Sequence, residues 1–99
     1  QPPQSPAIEA TRIATKVGMR KLVHLGDGSR IELNTGSAIR AAIGRTQRIV
    51  WLDQGEAYFD ITKRNGEHFI VHAGTKTITV LGTKFSVRRD GERVAVVVE

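Results

Sequence analysis

Glycine sets the beat of this chain. From Gly28 it recurs at 36, 44, 55, 66, 74, 82 and 91, in steps of 8, 8, 11, 11, 8, 8 and 9 residues. Short segments punctuated by turn signals every 8–12 residues are what a sandwich or barrel of strands requires. Between the glycines the side chains alternate at a period of two. Ile31 and Leu33 oppose Arg30, Glu32 and Asn34. Ala57, Phe59 and Ile61 oppose Glu56, Tyr58 and Asp60, and Phe85 and Val87 oppose Lys84, Ser86 and Arg88. Ile39, Ala41 and Ile43 share a face that excludes Arg40.

Composition agrees with that rhythm. Ile, Val and Thr number 9, 10 and 9 against 5 Leu, and β-branched side chains suit a pleated sheet better than a helix. The pattern predicts an all-β domain of about ten short strands and no helix, arranged as a two-sheet sandwich or a solenoid-like stack. The strands are expected at 11–17, 19–25, 30–34, 37–43, 47–52, 56–61, 68–72, 76–81, 84–88 and 93–98. Residues 1–10 hold all three prolines and no apolar period, which reads as an extended linker ahead of a domain at 11–99. Asp27 and Gly28 are expected to form a two-residue type I′ hairpin turn, a type that needs positive φ at both central positions. Gly55 and Gly82 are expected to be further structural turns, and Asn65-Gly66 and Asp90-Gly91 to mark loops.

Two segments break the alternation. Ile49-Val50-Trp51-Leu52 and Val94-Ala95-Val96-Val97-Val98 are apolar on both faces, as strands covered on both sides are. The second has two readings: a strand buried in the domain, or an apolar edge awaiting another segment or partner.

Several kinds of chemistry are excluded. No cysteine is present, so there is no disulfide, thiolate-bound zinc or thiol catalysis. His68 and His72 stand four apart, which on a strand separates them by roughly 13 Å and prevents chelation of one ion. Gly26-Asp27-Gly28-Ser29 is followed by an alternating strand, not by the helix a phosphate-cradling loop needs. No nucleophile elbow surrounds Ser29, Ser37 or Ser86. No catalytic, cofactor or metal site is therefore expected, and the domain reads as no enzyme. Phe59, Phe69 and Phe85 fall on inward faces, leaving Tyr58 and Trp51, too few for a single-strand nucleic-acid platform. No run approaches the ~18 apolar residues of a spanning helix. The charge of +5 favours acidic partners, but the cations are dispersed.

The motifs carry a resemblance. Leu25-Gly26-Asp27-Gly28-Ser29-x-Ile31-x-Leu33-Asn34 is similar to the "L-P-D-G-S-x-V-x-L-N" segment of the FecR family of membrane-bound sigma-factor regulators. Arg48-Ile49-Val50-Trp51-Leu52-x-x-Gly55-Glu56-Ala57-Tyr58-Phe59-Asp60-Ile61 resembles its "R-x-V-x-L-x-x-G-E-A-x-F-x-V". Phe69-Ile70-Val71-His72 and Val80 to Val87 resemble its "P-F-x-V" and "V-x-G-T-x-F-x-V". Gly26 and His68 depart from the family's prolines without touching chemistry.

The resemblance implies the periplasmic portion of a single-pass inner-membrane protein, with a cytoplasmic anti-sigma segment and a membrane helix preceding it and the Pro-rich start as juxtamembrane linker. It implies that the signalling domain of a TonB-dependent outer-membrane transporter, often one for iron-siderophore complexes, is the protein partner. An extracytoplasmic-function sigma factor is the indirect target. The family commonly continues past the position of Glu99, so closing elements are expected beyond it. No nucleic-acid partner is implied, and membrane contact would come only through the helix outside these residues. The expected partner-binding residues are Arg88, Arg89, Arg93, Val94, Val96 and Val98, where terminal apolarity meets clustered charge and strand addition could dock a partner. The rival reading is a module binding a polyanion such as lipopolysaccharide or cell-wall glycan.

Overall fold

A computed structural model describes residues 11–44, 47–64 and 66–99; the expected linker at 1–10 and Asn65 of the expected Asn65-Gly66 loop lie outside the described residues. Among the described residues there are nine strands and no helix: β1 (Thr11–Ala14), β2 (Lys21–His24), β3 (Arg30–Leu33), β4 (Ala38–Ile43), β5 (Arg48–Asp60), β6 (Phe69–Ala73), β7 (Lys76–Val80), β8 (Lys84–Asp90) and β9 (Arg93–Val98). They form one hydrogen-bonded network that curls at β5. The N-terminal half of β5 pairs with β4 and β6, giving a first leaf ordered β1-β4-β5-β6-β7. Its C-terminal half pairs with β3 and β8, giving a second leaf ordered β2-β3-β5-β8-β9. Every pair is antiparallel except β5–β6.

The all-β expectation holds, with nine strands rather than ten. The segments expected at 47–52 and 56–61 are one strand, because Gly55 is not a turn but a bend within β5, at φ 83. The inward parity changes across it. Arg48, Val50 and Leu52 are buried before the bend, and Ala57 and Phe59 after it. An odd step of five separates Leu52 from Ala57, so one residue is inserted into the alternation, as in a bulge. Each half of β5 can then aim its apolar side at the same core from a different leaf. That core is a single cluster including Ile31, Leu33, Ile39, Val50, Leu52 and Val71. Phe59 stacks on Phe85 within the second leaf, 4.9 Å between centroids, and meets Phe69 of the first leaf edge-on at 6.3 Å.

Other expectations need correction. The strands expected at 11–17 and 19–25 contract to β1 and β2, with Gly18 at φ 88 between them. The Asp27-Gly28 turn is not a two-residue hairpin. Leu25 N donates to Ser29 O at 2.8 Å and Gly28 N donates to Leu25 O at 3.1 Å, which closes the three-residue loop Gly26–Gly28 with Gly28 at φ 89. This is the turn-plus-bulge form of hairpin. It turns the Asp27 carboxylate inward, where Oδ1 accepts from Ser29 N at 2.9 Å. The connection from β5 to β6, where a loop was expected, crosses between leaves, since the end of β5 lies in the second leaf and β6 in the first. Gly82 does lie in the bend between β7 and β8, and a Cβ there would sit 2.8 Å from the Lys63 backbone.

Neither two-faced apolar segment is covered on both sides. Ile49 and Trp51 are half-buried on the outer face of the first leaf. Trp51 lies between the Arg40 guanidinium, 5.2 Å from its ring, and the stacked His72 imidazole at 6.0 Å. The indole is sheltered by long neighbours across the ladder rather than by another layer. Among the described residues strand β9 pairs with β8 alone, and Val96, Val97 and Val98 are 39%, 64% and 63% exposed. Among those residues Val94–Val98 stands at a sheet edge and is not buried.

Candidate interaction surfaces

The most concentrated polar chemistry is sealed inside. Arg48 enters β5 with the inward parity of Val50 and Leu52, and its side chain and that of Asp27 are both fully buried. Its Nη1 donates to Asp27 Oδ2 at 3.0 Å and to Thr62 O at 2.6 Å; Nη2 donates to Leu81 O at 3.2 Å and to Glu67 O. The guanidinium also lies 5.5 Å from the Phe69 ring. Ser29 Oγ donates to Asp27 Oδ2 at 3.0 Å and accepts from Thr62 N at 2.9 Å. One buried cation thereby ties the β2–β3 hairpin to the segments after β5, before β6 and after β7. A charge buried this deeply needs a partner and hydrogen bonds to be tolerated, and here both terminal nitrogens have them while the buried Nε has none. With no exposure it is a clamp, not a binding site. The role of Arg48 was missed in the sequence, although its parity with Val50 and Leu52 already pointed it inward.

The outer face of the second leaf is open and polar. A shallow recess of about 260 Å³ beside Tyr58 is lined by Arg20, Glu32, Asn34, Glu56 and Ser86. A second, of about 220 Å³ on its other side, is lined by Leu22, Arg30, Glu32 and Asp60. The carboxylates Glu56 and Asp60, which share this face, have separate partners. Asn34 Nδ2 donates to Glu56 at 2.8 Å, and Arg30 pairs with Asp60 at 2.5 Å. Tyr58 OH donates to Glu99 Oε1 at 3.1 Å. Desolvation against the sheet, then the Glu99 hydrogen bond and the nearby carboxylates, hold the Tyr58 phenol above its usual value near 10.

Because the folded phenol is raised, its contribution to stability is present below the unfolded value near 10 and is lost as pH climbs through the folded one. Tyr58 is the sole tyrosine, so phenolate absorbance reports on it alone. The native midpoint is expected above that of the denatured chain, and Tyr58→Phe is expected to remove this part of the alkaline destabilisation. A native midpoint at or below the denatured one would contradict the geometry.

The six expected partner-binding residues fall on one edge but on two faces. Val94, Val96 and Val98 pair with Arg89, Val87 and Phe85 and share their inward side. Arg88 and Arg93 stand on the outer side, opposite Ala95 and Asp90. Arg89 is half-buried and turned into the fold: Nη1 donates to Leu52 O and Nε to Gly91 O, both at 3.1 Å. Arg88 and Arg89 belong to β8, which is paired on both sides, and only Arg93, Val94, Val96 and Val98 belong to β9, which among the described residues pairs with β8 alone. The structural glycines differ among themselves: Gly28 and Gly55 hold positive φ, while Gly82 allows a close backbone approach. His72 Nδ1 lies 3.2 Å from Thr77 Oγ1, and among the described residues no three His, Asp or Glu side chains converge to hold a metal.

A curled all-β sheet around one core, with a sealed ionic clamp and an open edge, defines a class of scaffold that presents surfaces. The match to the FecR family ("FecR protein") spans residues 11–99, and the chain belongs to that family. It is also similar to two crystal structures of a "putative anti-sigma factor" from Parabacteroides distasonis. One shares 33% identity at a TM-score of 0.82, covering 91% of this chain and 44% of that one. The other shares 34% identity at a TM-score of 0.80, covering 89% and 43%. The chain thus spans less than half the length of the solved proteins it matches. No curated protein matches it significantly.

Proposed function

We propose that this domain is the periplasmic protein-binding relay of a membrane-bound sigma-factor regulator. It would take its signal from the signalling domain of a TonB-dependent outer-membrane transporter and pass it, through a membrane helix and a cytoplasmic anti-sigma segment, to an extracytoplasmic-function sigma factor. Membership of the FecR family across residues 11–99 carries the reading. The likeness to solved chains described as anti-sigma factors supports it. The contact surface is the β9 edge, with Val94, Val96 and Val98 on one side and Arg88 and Arg93 on the other; Arg89 braces the edge from within. Unpaired N–H and C=O groups along such an edge offer main-chain affinity to an added strand. The domain works by binding, not by catalysis.

The structure gives less support to the polyanion alternative. Arg30, Arg40, Arg48 and Arg64 pair with Asp60, Asp53, Asp27 and Glu67, which withdraws four cations from any anion-binding set. Titration calorimetry of the domain against the purified signalling domains of its host's transporters tests the choice. Saturable binding of one of them, little changed by salt, is the expected result. Failure of all of them, with binding to lipopolysaccharide that falls steeply with salt, would transfer the function to the polyanion.

A further inference from the structure

We infer that the turn between β1 and β2 docks on the surface of an anionic lipid bilayer. Val17 and Met19 enter the boundary between headgroups and acyl chains, and Lys16, Arg20 and Lys21 meet lipid phosphates. The inference goes beyond the protein-binding reading and is tested apart from it.

Positive residues run the length of the chain, but the net charge does not. Residues 11–26 hold Arg12, Lys16, Arg20 and Lys21 and no carboxylate, while the other 11 cations stand against 10 acids. Nearly all of the +5 therefore belongs to β1, β2 and the turn between them. The ion pairs among the described residues are made by Arg30, Arg40, Arg48 and Arg64, so none of these four cations has a carboxylate of its own there. A cluster of unpaired Lys and Arg is drawn to an anionic leaflet and released by salt.

The turn is firmly built, yet it holds apolar side chains in water. Met19 N donates to Lys16 O at 2.9 Å across Val17 and Gly18, and Gly18 stands at φ 88, as the third residue of a type II turn does. Gly18 N donates to Thr35 Oγ1, Gly36 N to Lys16 O at 3.3 Å, and Thr15 Oγ1 to Asn34 O at 2.7 Å. These bonds fix the turn to the β3–β4 connection. Val17 is nevertheless 90% exposed and Met19 58%, and neither belongs to the core. Two apolar side chains with Lys16 before them and Arg20-Lys21 after them are what an interfacial anchor presents. The apolar pair leaves water, while the lysine and arginine stems lie along the boundary with their charged heads at the phosphates. A protein partner would need both a pocket for the turn and carboxylates around it; an anionic bilayer offers both layers everywhere.

The place of the turn in the fold agrees. Among the described residues β1 pairs with β4 alone and β2 with β3 alone, so the turn joins one strand of each leaf. β9 lies across the second leaf from β2, four strand spacings or roughly 19 Å away. A domain resting on its β1–β2 side turns β9 away from the bilayer, so lipid and protein contacts do not compete.

Co-sedimentation of the 99-residue chain with vesicles tests this, comparing phosphatidylcholine alone with phosphatidylcholine containing about 30% phosphatidylglycerol. Binding to the anionic vesicles only, weakened as salt is raised, is the expected result. Each cation at the surface is worth about fivefold in partitioning, so Lys16→Gln with Lys21→Gln should weaken binding about thirtyfold. The same charge removed by Lys76→Gln with Lys84→Gln, on β7 and β8, should change it less than about threefold. Val17→Ser should weaken binding about fivefold, with a melting temperature near wild type because the residue lies outside the core. No binding to the anionic vesicles, or equal losses from the two lysine pairs, overturns the inference. So does binding indifferent to Val17→Ser; together with equally tight binding of dextran sulfate, that would make the surface a site for soluble polyanions. Transporter signalling domains are read separately by calorimetry, so either contact can fail while the other stands.

Discussion

Replacing Arg48 by methionine is expected to cost about 3–5 kcal/mol of folding stability, because it leaves the fully buried Asp27 carboxylate without its cation. A domain of this size has roughly 5–15 kcal/mol in total, so most variant molecules would sit close to unfolding. At a few degrees per kcal/mol the midpoint should fall by roughly 15–30 °C. Methionine nearly fills the volume of the arginine stem, so the loss is electrostatic and not a cavity effect. Arg48→Lys is expected to recover only part, since one ammonium cannot span Asp27, Thr62, Glu67 and Leu81 as the planar fork does. Asp27→Asn combined with Arg48→Met should cost less than the two singles added, by more than about 1 kcal/mol, because the two side chains share one network. Urea denaturation at neutral pH measures all of these. A single-variant loss under about 1 kcal/mol would mean the clamp does not hold the hairpin.

The same residue shows how much the sequence discloses. The two-residue alternation exposed the inward faces of β3, β8 and the second half of β5, and Ile31, Leu33, Phe59, Phe85 and Val87 are all fully buried. It could also have disclosed Arg48, whose number has the parity of Val50 and Leu52. An inward arginine demands a carboxylate, and Asp27 in the one turn with a serine two residues on was available. Partner choice between strands was not legible. β6 lies parallel to β5 because β5 changes leaf partway along, and alternation within a strand says nothing of its neighbours. The apolarity of Ile49 and Trp51 misled for a local reason. The side chains of Arg40 and His72 shelter the indole on an outer face, so a two-faced apolar strand need not have a layer on each side. For β9 the sequence leaned toward burial and left the exposed edge as the other reading. Pairing on one side alone decided it.

Gly55→Ala should be nearly as damaging as the loss of Arg48, by a different mechanism, and its size can be isolated. At φ 83 an alanine suffers the left-handed penalty of about 1–2 kcal/mol. Its Cβ would also lie 2.3 Å from Ser37 Oγ and 2.7 Å from Ser37 Cα. Ser37 cannot retreat: it is fully buried, and its Oγ both donates to Glu56 O at 3.0 Å and accepts from Glu56 N at 2.9 Å. The seryl hydroxyl satisfies backbone groups that the bend in β5 would otherwise strand between its two leaves. Overpacking adds about 1–3 kcal/mol, for an expected total of roughly 2–5 kcal/mol. Gly18→Ala is the control, since Gly18 has nearly the same φ of 88 with nothing within 4 Å of its Cβ position. It should cost only the backbone penalty, so the difference between the two variants measures how tightly the bend is packed. Equal losses in thermal and urea unfolding would show that the bend tolerates a methyl group, and that the change of leaf along β5 depends on φ alone.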